Sequence, residues 1–446
     1  MQTLQPMTLP AWLAYIERQH PKSIALGLER VREVAQRMGL ARPAKRVITV
    51  GGTNGKGSTV AFIVAIARAA GWRVGAYTSP HLLAYNERVR IDGRDATDEQ
   101  LIAGLEAVEA ARVAVAGSTR SPQDNAIPLT YFEYGTLAAL WLFQRSDLDL
   151  AILEVGLGGR LDAVNLIDAD VSVITTVDLD HQDYLGDDRE AIGFEKAGIA
   201  RAWKPLVLGE DNPPASVLRH AYAIGASAIR AGCDFFIGPA APPAHPTPEP
   251  TWCWREVALE LELPMPRLAG PMQLRNAATA IAAVRALGTP MPMDAYAQGI
   301  ATAQLPARLQ QFERNGVQIV VDVGHNPQAA CELAAWLRQA PVRGRTFAVF
   351  AALGDKDLHG VVTALAERID AWFLAGLGDT GPRGLAVDAF AVRLQGTAAA
   401  DGTRHADVAA ALAAALAQAQ AGDRILVFGS FHTAAAALRC LQALDR

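Results

Sequence analysis

The sequence predicts an α/β fold of two domains. Three observations predict it. Short β-branched apolar runs alternate with helical runs almost throughout, which is the pattern of a largely parallel sheet flanked by helices. A glycine-rich loop, GGTNGKGST at residues 51–59, lies between one such strand and one such helix. The chain has 446 residues, too many for one core, and a second alternation of the same kind begins near residue 306.

The elements follow in order. Residues 46–50, RVITV, read as a buried strand, and 60–70, VAFIVAIARAA, as a helix with Gly71 as its stop. Residues 134–143 read as a helix, and 148–155 and 169–176 as buried strands. Residues 238–250, GPAAPPAHPTPEP, are too proline-rich for helix or central strand and read as a surface loop leading into a strand-rich patch at 252–263. No role is assigned to His245 in that loop. Residues 317–322, 346–350, 371–375 and 424–428 read as strands of the second domain, with alanine-rich helices such as 408–421 between them. The boundary is expected between Ile300 and Pro306, giving domains 1–304 and 305–446.

Strand, glycine-rich turn, lysine, Ser/Thr and helix form a phosphate cradle. Small residues let backbone N–H groups approach phosphate oxygens, the helix N-terminus adds partial positive charge, and Lys56 adds a full one. The match to G-x-x-x-x-G-K-[ST] is imperfect: Val50 stands where the first glycine belongs, and Gly57 follows the lysine.

Other polar clusters close predicted strands, where ligands sit in open α/β sheets. Glu154 precedes VGLGGRLD and is placed either to hold Mg²⁺ or to cap a turn. Asp178, Asp180, His181 and Asp183 follow the next strand. The residues alone favour an ordinary hydrogen-bonding role for His181. Lys196, beside Phe194 and Ile199, is either a snorkelling surface lysine or a buried one able to lose its proton. Asp322 closes a strand as acids that accept from a ribose hydroxyl do, or stabilises a turn. Arg308, near the boundary, is a phosphate ligand or a linker residue.

Composition narrows the classes. A net charge of −5 gives no reason to expect nucleic acid. No apolar stretch is long enough to span a bilayer. Residues 1–6, MQTLQP, lack the basic and apolar regions of a signal peptide. The four cysteines have no metal-type spacing and suit a reducing, cytoplasmic setting.

Together these segments resemble the folylpolyglutamate synthase family of the Mur-ligase group, most closely its bifunctional dihydrofolate synthase/folylpolyglutamate synthase members. The motifs run in order nearly end to end: GLERV at 27–31, GGTNGKGST, YTSPHL at 77–82, NERVRI at 86–91, LTYFEYGTLAALWLF from 129, LEVGLGGRLDAVN from 153, LDHQDYLG from 179, then EKAGI, RNAATA, PARLQ, VDVGHNP, GDKD and GSFHT.

The resemblance implies a larger P-loop-type, mostly parallel sheet domain and a smaller Rossmann-like C-terminal domain. It implies an ATP-dependent amide ligase. ATP phosphorylates a carboxylate, and the amino group of L-glutamate displaces the phosphate. Dihydropteroate and reduced folates are the implied acceptors, and a monomer the implied state. By the same resemblance Thr53, Asn54, Gly55, Lys56, Gly57 and Ser58 hold the phosphates, and Asn276, Arg308, Asp322 and His325 contact ATP. Ser79, Glu154 and His181 correspond to ligands of Mg²⁺, two ions in all, which reassigns His181. Lys196 aligns with a lysine that is carbamylated in the group. Lys56, His181 and Lys196 are thus the implied catalytic set. The pterin substrate falls to Ala25, Leu26, Gly27 and Leu28, to Thr130, Tyr131, Phe132 and Glu133, and to Leu161, Asp162 and Ala163.

Four positions depart from the family pattern. Ala25 replaces an acid, Gly324 stands where alanine is usual, and Ala307 and Leu309 stand where glycine and phenylalanine are common. The alternatives are a monofunctional folylpolyglutamate synthase, which LTYFEYGT and RLDA disfavour, a P-loop NTPase or kinase of other specificity, and a folate-binding protein without catalysis.

Overall fold

The computed structural model describes residues 7–22, 24–113, 126–240, 250–381 and 383–444. The signal-peptide expectation at residues 1–6, and most of the proline-rich loop with His245, lie outside the described residues. The chain separates into two compact units. One comprises Met1–Pro266 and Leu274–Ala303, the other Arg267–Gln273 and Gln304–Arg446.

In the first unit, β1 (Arg46–Gly51), β2 (Val74–Tyr77), β3 (Val89–Ile91), β4 (Arg94–Asp95), β5 (Leu150–Glu154), β6 (Val171–Ile174), β7 (Pro205–Leu208) and β8 (Ser227–Arg230) form one sheet. Its order is β4-β3-β2-β5-β1-β6-β7-β8. The pairs β2–β5, β5–β1, β1–β6, β6–β7 and β7–β8 are parallel, and the pairs β2–β3 and β3–β4 are antiparallel. Every residue of β5 and β6 is buried, as continuous Leu/Ile/Val runs require of strands covered on both faces. The edge strand β4 has two residues, both exposed. Asp95 there accepts from Arg90 Nε at 2.6 Å.

The core of this unit joins the sheet residues Val47, Leu153 and Ile174 to Leu105, Leu137 and Leu140 of two covering helices, Asp98–Val113 and Tyr131–Gln144. Burying each such side chain contributes roughly 1.5–3 kcal/mol. The patch expected at 252–263 is a separate antiparallel sheet of β9 (Phe235–Pro239), β10 (Thr251–Glu256) and β11 (Leu259–Pro264), in the order β11-β10-β9. Trp254 at its centre is fully buried, stacks on Phe235, and donates from Nε1 to Ala278 O at 3.1 Å.

In the second unit, β12 (Gln310–Arg314), β13 (Val317–Val321), β14 (Thr346–Phe350), β15 (Ala371–Ala375), β16 (Thr403–His405) and β17 (Arg424–Phe428) are ordered β12-β13-β17-β14-β15-β16. Only β12 is antiparallel to its neighbour. Phe350 stacks on Phe428 at 4.8 Å within this core. β14, β15 and β17 coincide with the strands expected from sequence, and β13 ends one residue earlier, at Val321.

Candidate active site

The glycine-rich loop leaves β1 and enters the helix Lys56–Ala69, with Gly55 as its N-cap. The tight approach falls to two glycines. Gly52 (φ +142°) lies so close to the next strand that a Cβ would sit 1.9 Å from Thr175 Oγ1. Gly55 (φ +87°) lies against Asn276, where a Cβ would sit 2.5 Å from Oδ1. Both conformations are strained for any residue with a side chain.

Two threonines of the segment after β6 hold the loop. Thr53 N donates to Thr176 O (2.8 Å), Asn54 N to Thr176 Oγ1 (3.1 Å), and Thr175 Oγ1 to Asn54 O (2.6 Å). Thr53 Oγ1 accepts from Asp178 N (3.0 Å) and donates to Asp178 O (3.1 Å). Lys56 Nζ donates to the carbonyls of Gly52 (3.0 Å) and Thr53 (3.1 Å). The ammonium is thereby held over the loop, where a phosphate would take the place of those carbonyls.

Beside this cradle lies a group of ionisable residues. Lys196 is buried near the end of the helix Arg189–Ala197. Burial, then the Lys56 cation, pushes its ammonium down to about 7, against the opposing pull of Asp180 and Asp162. A snorkelling position is thus ruled out. Phe194 is half exposed, however, so the expectation that it buries Lys196 is corrected: on a helix, neighbours two apart face different sides. Ile199 is fully buried. Asp162 is buried, and burial pushes its carboxyl up to about 6, although it accepts from Leu157 N (2.8 Å) and Val164 N (3.0 Å). Such opposed shifts mark functional sites.

Ser79 and Glu154 come together: Ser79 N donates to Oε2 of the buried Glu154 at 3.3 Å. His181 is in the left-handed region (φ +53°), and its Nε2 is 3.8 Å from Asp180 Oδ2. Among the described residues no group of three His, Cys, Asp or Glu side chains is arranged to hold a metal. A hydroxyl, a carboxylate and an imidazole fit a hard cation only as part of a shell that phosphate or other oxygens complete.

The three segments expected to bind pterin also meet. Gly27 N donates to Leu161 O at 3.3 Å. Phe132 packs over Gly156, where a Cβ would approach its ring to 2.8 Å. Tyr131 meets Tyr85 edge to face. Glu133 also has structural partners. Its Oε2 accepts from Thr130 N (2.7 Å) in a capping box, and its Oε1 accepts from Arg30 (2.9 Å).

In the second unit, Arg308, Asp322 and His325 meet where β13 and β17 end. Asp322 accepts from Leu309 N (2.9 Å) and Gly324 N (2.7 Å). His325 Nδ1 donates to Val323 O (2.9 Å). Phe431 lies 5.8 Å from the Arg308 guanidinium and 6.5 Å from the His325 ring.

Sequence reasoning did not select Thr175, Thr176, Arg30 or a further pair, Arg189 and Glu210. Arg189 Nε donates to Val177 O (2.8 Å) while Glu210 Oε1 accepts from Val177 N (3.1 Å), and the two side chains pair at 2.9 Å. This clamp grips the backbone just before Asp178. Burial pushes the Glu210 carboxyl up to about 7.

Two family models cover the chain: the Mur ligase middle domain at residues 50–284 and the Mur ligase glutamate ligase domain at 307–431. The dihydrofolate synthase/folylpolyglutamate synthase of Escherichia coli is 43% identical over 98% of this chain and 96% of its own length. The Haemophilus influenzae protein of the same name is 39% identical over 98% of each. The chain belongs to the dihydrofolate synthase/folylpolyglutamate synthase family of Mur ligases. Solved structures are similar as well. One of E. coli FolC in complex with DHPP and ADP has a TM-score of 0.89 at 43% identity and covers all of both chains. A bifunctional synthase with Mn, AMPPNP and L-glutamate bound has a TM-score of 0.86 at 42% identity, covering 99% of this chain and all of that one.

Proposed function

We propose that this family member is an ATP-dependent ligase that joins L-glutamate to dihydropteroate, forming dihydrofolate, and to reduced folates, forming polyglutamates. The observation that carries the reading is the end-to-end similarity to bifunctional synthases, 43% identity over 98% of the chain, together with the glycine-rich loop that enters the helix Lys56–Ala69.

The acceptor carboxylate attacks the γ-phosphorus of ATP, and ADP leaves with the electron pair of the broken P–O bond. The glutamate amine then attacks the acyl carbon, loses a proton and expels inorganic phosphate. In this reading residues 53–58 seat the phosphates, and Lys56 turns from the loop carbonyls to the γ-phosphoryl group, where charge builds up. Asn276, Arg308, Asp322 and His325 contact the nucleotide. The Asp322 oxygens also accept two backbone N–H groups, which sets the loop that carries Arg308.

Ser79, Glu154 and His181 would hold Mg²⁺, which screens the phosphate charge. Lys196, as the neutral amine, would take up CO₂ with release of a proton, and the resulting carbamate would supply oxygen ligands to the metal. Burial of its nitrogen supports this, because burial disfavours the charged form. Ala25–Leu28, Thr130–Glu133 and Leu161–Ala163 line the pterin site. The reading extends to a monomeric, cytoplasmic enzyme acting on small molecules, not on nucleic acid or membranes. Four free cysteines and a net charge of −5 accord with it, and no described helix is long and apolar enough to cross a membrane.

The deciding experiment is phosphate release with dihydropteroate, tetrahydrofolate or neither, each with and without L-glutamate. Release that requires both an acceptor and glutamate is expected with either acceptor. Activity confined to tetrahydrofolate would reduce the enzyme to a monofunctional synthase, and turnover indifferent to glutamate would remove the ligase reading. For Lys196, chemical trapping of the carbamate after incubation with ¹³CO₂ should leave one labelled lysine. An unlabelled Lys196 in fully active enzyme would return it to a structural role.

A further inference from the structure

We infer that Arg30 is a positioning residue for the acceptor site: it ties the 25–28 segment to the start of the helix Tyr131–Gln144. The inference rests on the reading of those segments as the pterin site. One guanidinium nitrogen, Nη2, donates both to Ala25 O (3.0 Å) and to Glu133 Oε1 (2.9 Å). Glu133 is buried, and its other oxygen accepts from Thr130 N in the capping box that starts the helix. Arg30 therefore reads the position of one site segment and transmits it to the next. The third segment is joined to the first by the bond from Gly27 N to Leu161 O. Three stretches more than a hundred residues apart in part are thus held in register by two polar links.

The arrangement is not one that stability alone would select. Arg30 Nε is buried with no hydrogen-bond partner, an arrangement that normally destabilises. Its bonds go instead to the backbone and carboxylate that shape the site. Ala25 offers only its backbone carbonyl to Arg30. A loop held by its backbone keeps its place whatever side chain it carries.

The experiment compares steady-state kinetics of Arg30→Gln, Arg30→Lys and Leu161→Ala with the parent enzyme, varying dihydropteroate and ATP separately. Leu161→Ala trims the expected pterin contact and leaves the backbone link intact. Arg30→Gln is expected to raise KM for dihydropteroate about tenfold or more, the scale of one lost charge-assisted hydrogen bond, with kcat and KM for ATP within about twofold. Arg30→Lys should recover part of that loss, and it serves as the test if the glutamine variant does not fold. If Leu161→Ala raises KM for dihydropteroate but neither Arg30 variant does, or if KM for ATP rises equally, the positioning role is overturned while the acceptor site stands. If Leu161→Ala leaves that KM unchanged, the acceptor-site reading falls and this inference falls with it.

Discussion

The cradle after β1 and the loop before β12 both carry the backbone through the left-handed region, and they do so with different residues. In the cradle the positions are glycines, Gly52 and Gly55, where a Cβ would collide with Thr175 or Asn276. In the second loop they are Ala307 (φ +55°) and Leu309 (φ +46°), flanking Arg308. Each non-glycine residue there is strained by roughly 1–2 kcal/mol. The strain is offset by a clamp. Asp322 accepts from Leu309 N, Val323 N donates to Ala307 O, and Ala307 N donates to Gln310 Oε1. Where the backbone itself must come close to neighbours, only glycine fits. Where the task is to aim one arginine, a buried carboxylate can enforce the same turn on alanine and leucine. Ala307 and Leu309 thus hold a left-handed turn whose strain Asp322 offsets.

The largest effect that sharpens this contrast is expected at Lys56. Lys56→Ala should leave the cradle folded, because its glycines and threonines remain, yet lower kcat by at least ~10²-fold. Near-normal turnover would show that the loop does not serve catalysis. Next in size is Asp322→Ala, which strips the acceptor from two backbone N–H groups. It should destabilise the second unit by about 2–3 kcal/mol in chemical denaturation, with activity lost through misplacement of Arg308. An unchanged midpoint would break the argument that the clamp enforces the turn.

The buried ionisable groups of the two regions should also tilt stability in opposite directions with pH. Lys196 has its folded pKa lowered from 10.5 to about 7, so between those values the unfolded chain binds the extra proton and stability rises with pH. For Asp322, burial raises the folded pKa, and stability falls as pH climbs above the unfolded carboxylate value of 3.8. Lys196→Met should flatten the rise above pH 7, a slope of at most about 1.4 kcal/mol per pH unit, read from urea midpoints at pH 7 and 9. A parallel slope in both proteins would mean that Lys196 is not buried as a neutral amine. The smallest effect is at Ala307→Gly. Relief of strain, less the added freedom of the unfolded chain, should stabilise by about 0.5–1 kcal/mol in a thermal melt.

What the sequence made legible was local. The strand–glycine–helix order of residues 46–70 and the β-branched runs of β6, β14 and β17 carry their structure in neighbouring residues. The strand-end positions of Glu154 and Asp322 followed from the same runs. What stayed hidden was contact between distant segments. Nothing near Lys196 in sequence announces Asp180 or Asp162 as its charged neighbours, and nothing near Val177 announces that Arg189 and Glu210 grip it from two other elements. Glu133 enters the pterin set through the family resemblance alone, which says nothing of its capping geometry. The T-x-x-E spacing is itself the signal of a capping box, and it was available.

The short strand β4 has a consequence beyond the site. An open eight-stranded sheet exposes a row of backbone donors and acceptors at each margin, and a long apolar margin recruits foreign strands. Here that margin is only Arg94 and Asp95, solvent-exposed and oppositely charged, with Asp95 held by Arg90. A second chain docking there would gain few ladder bonds and would have to strip water from both charges. The fold thus resists aggregation at the edge beside β3 by giving it almost nothing to pair with.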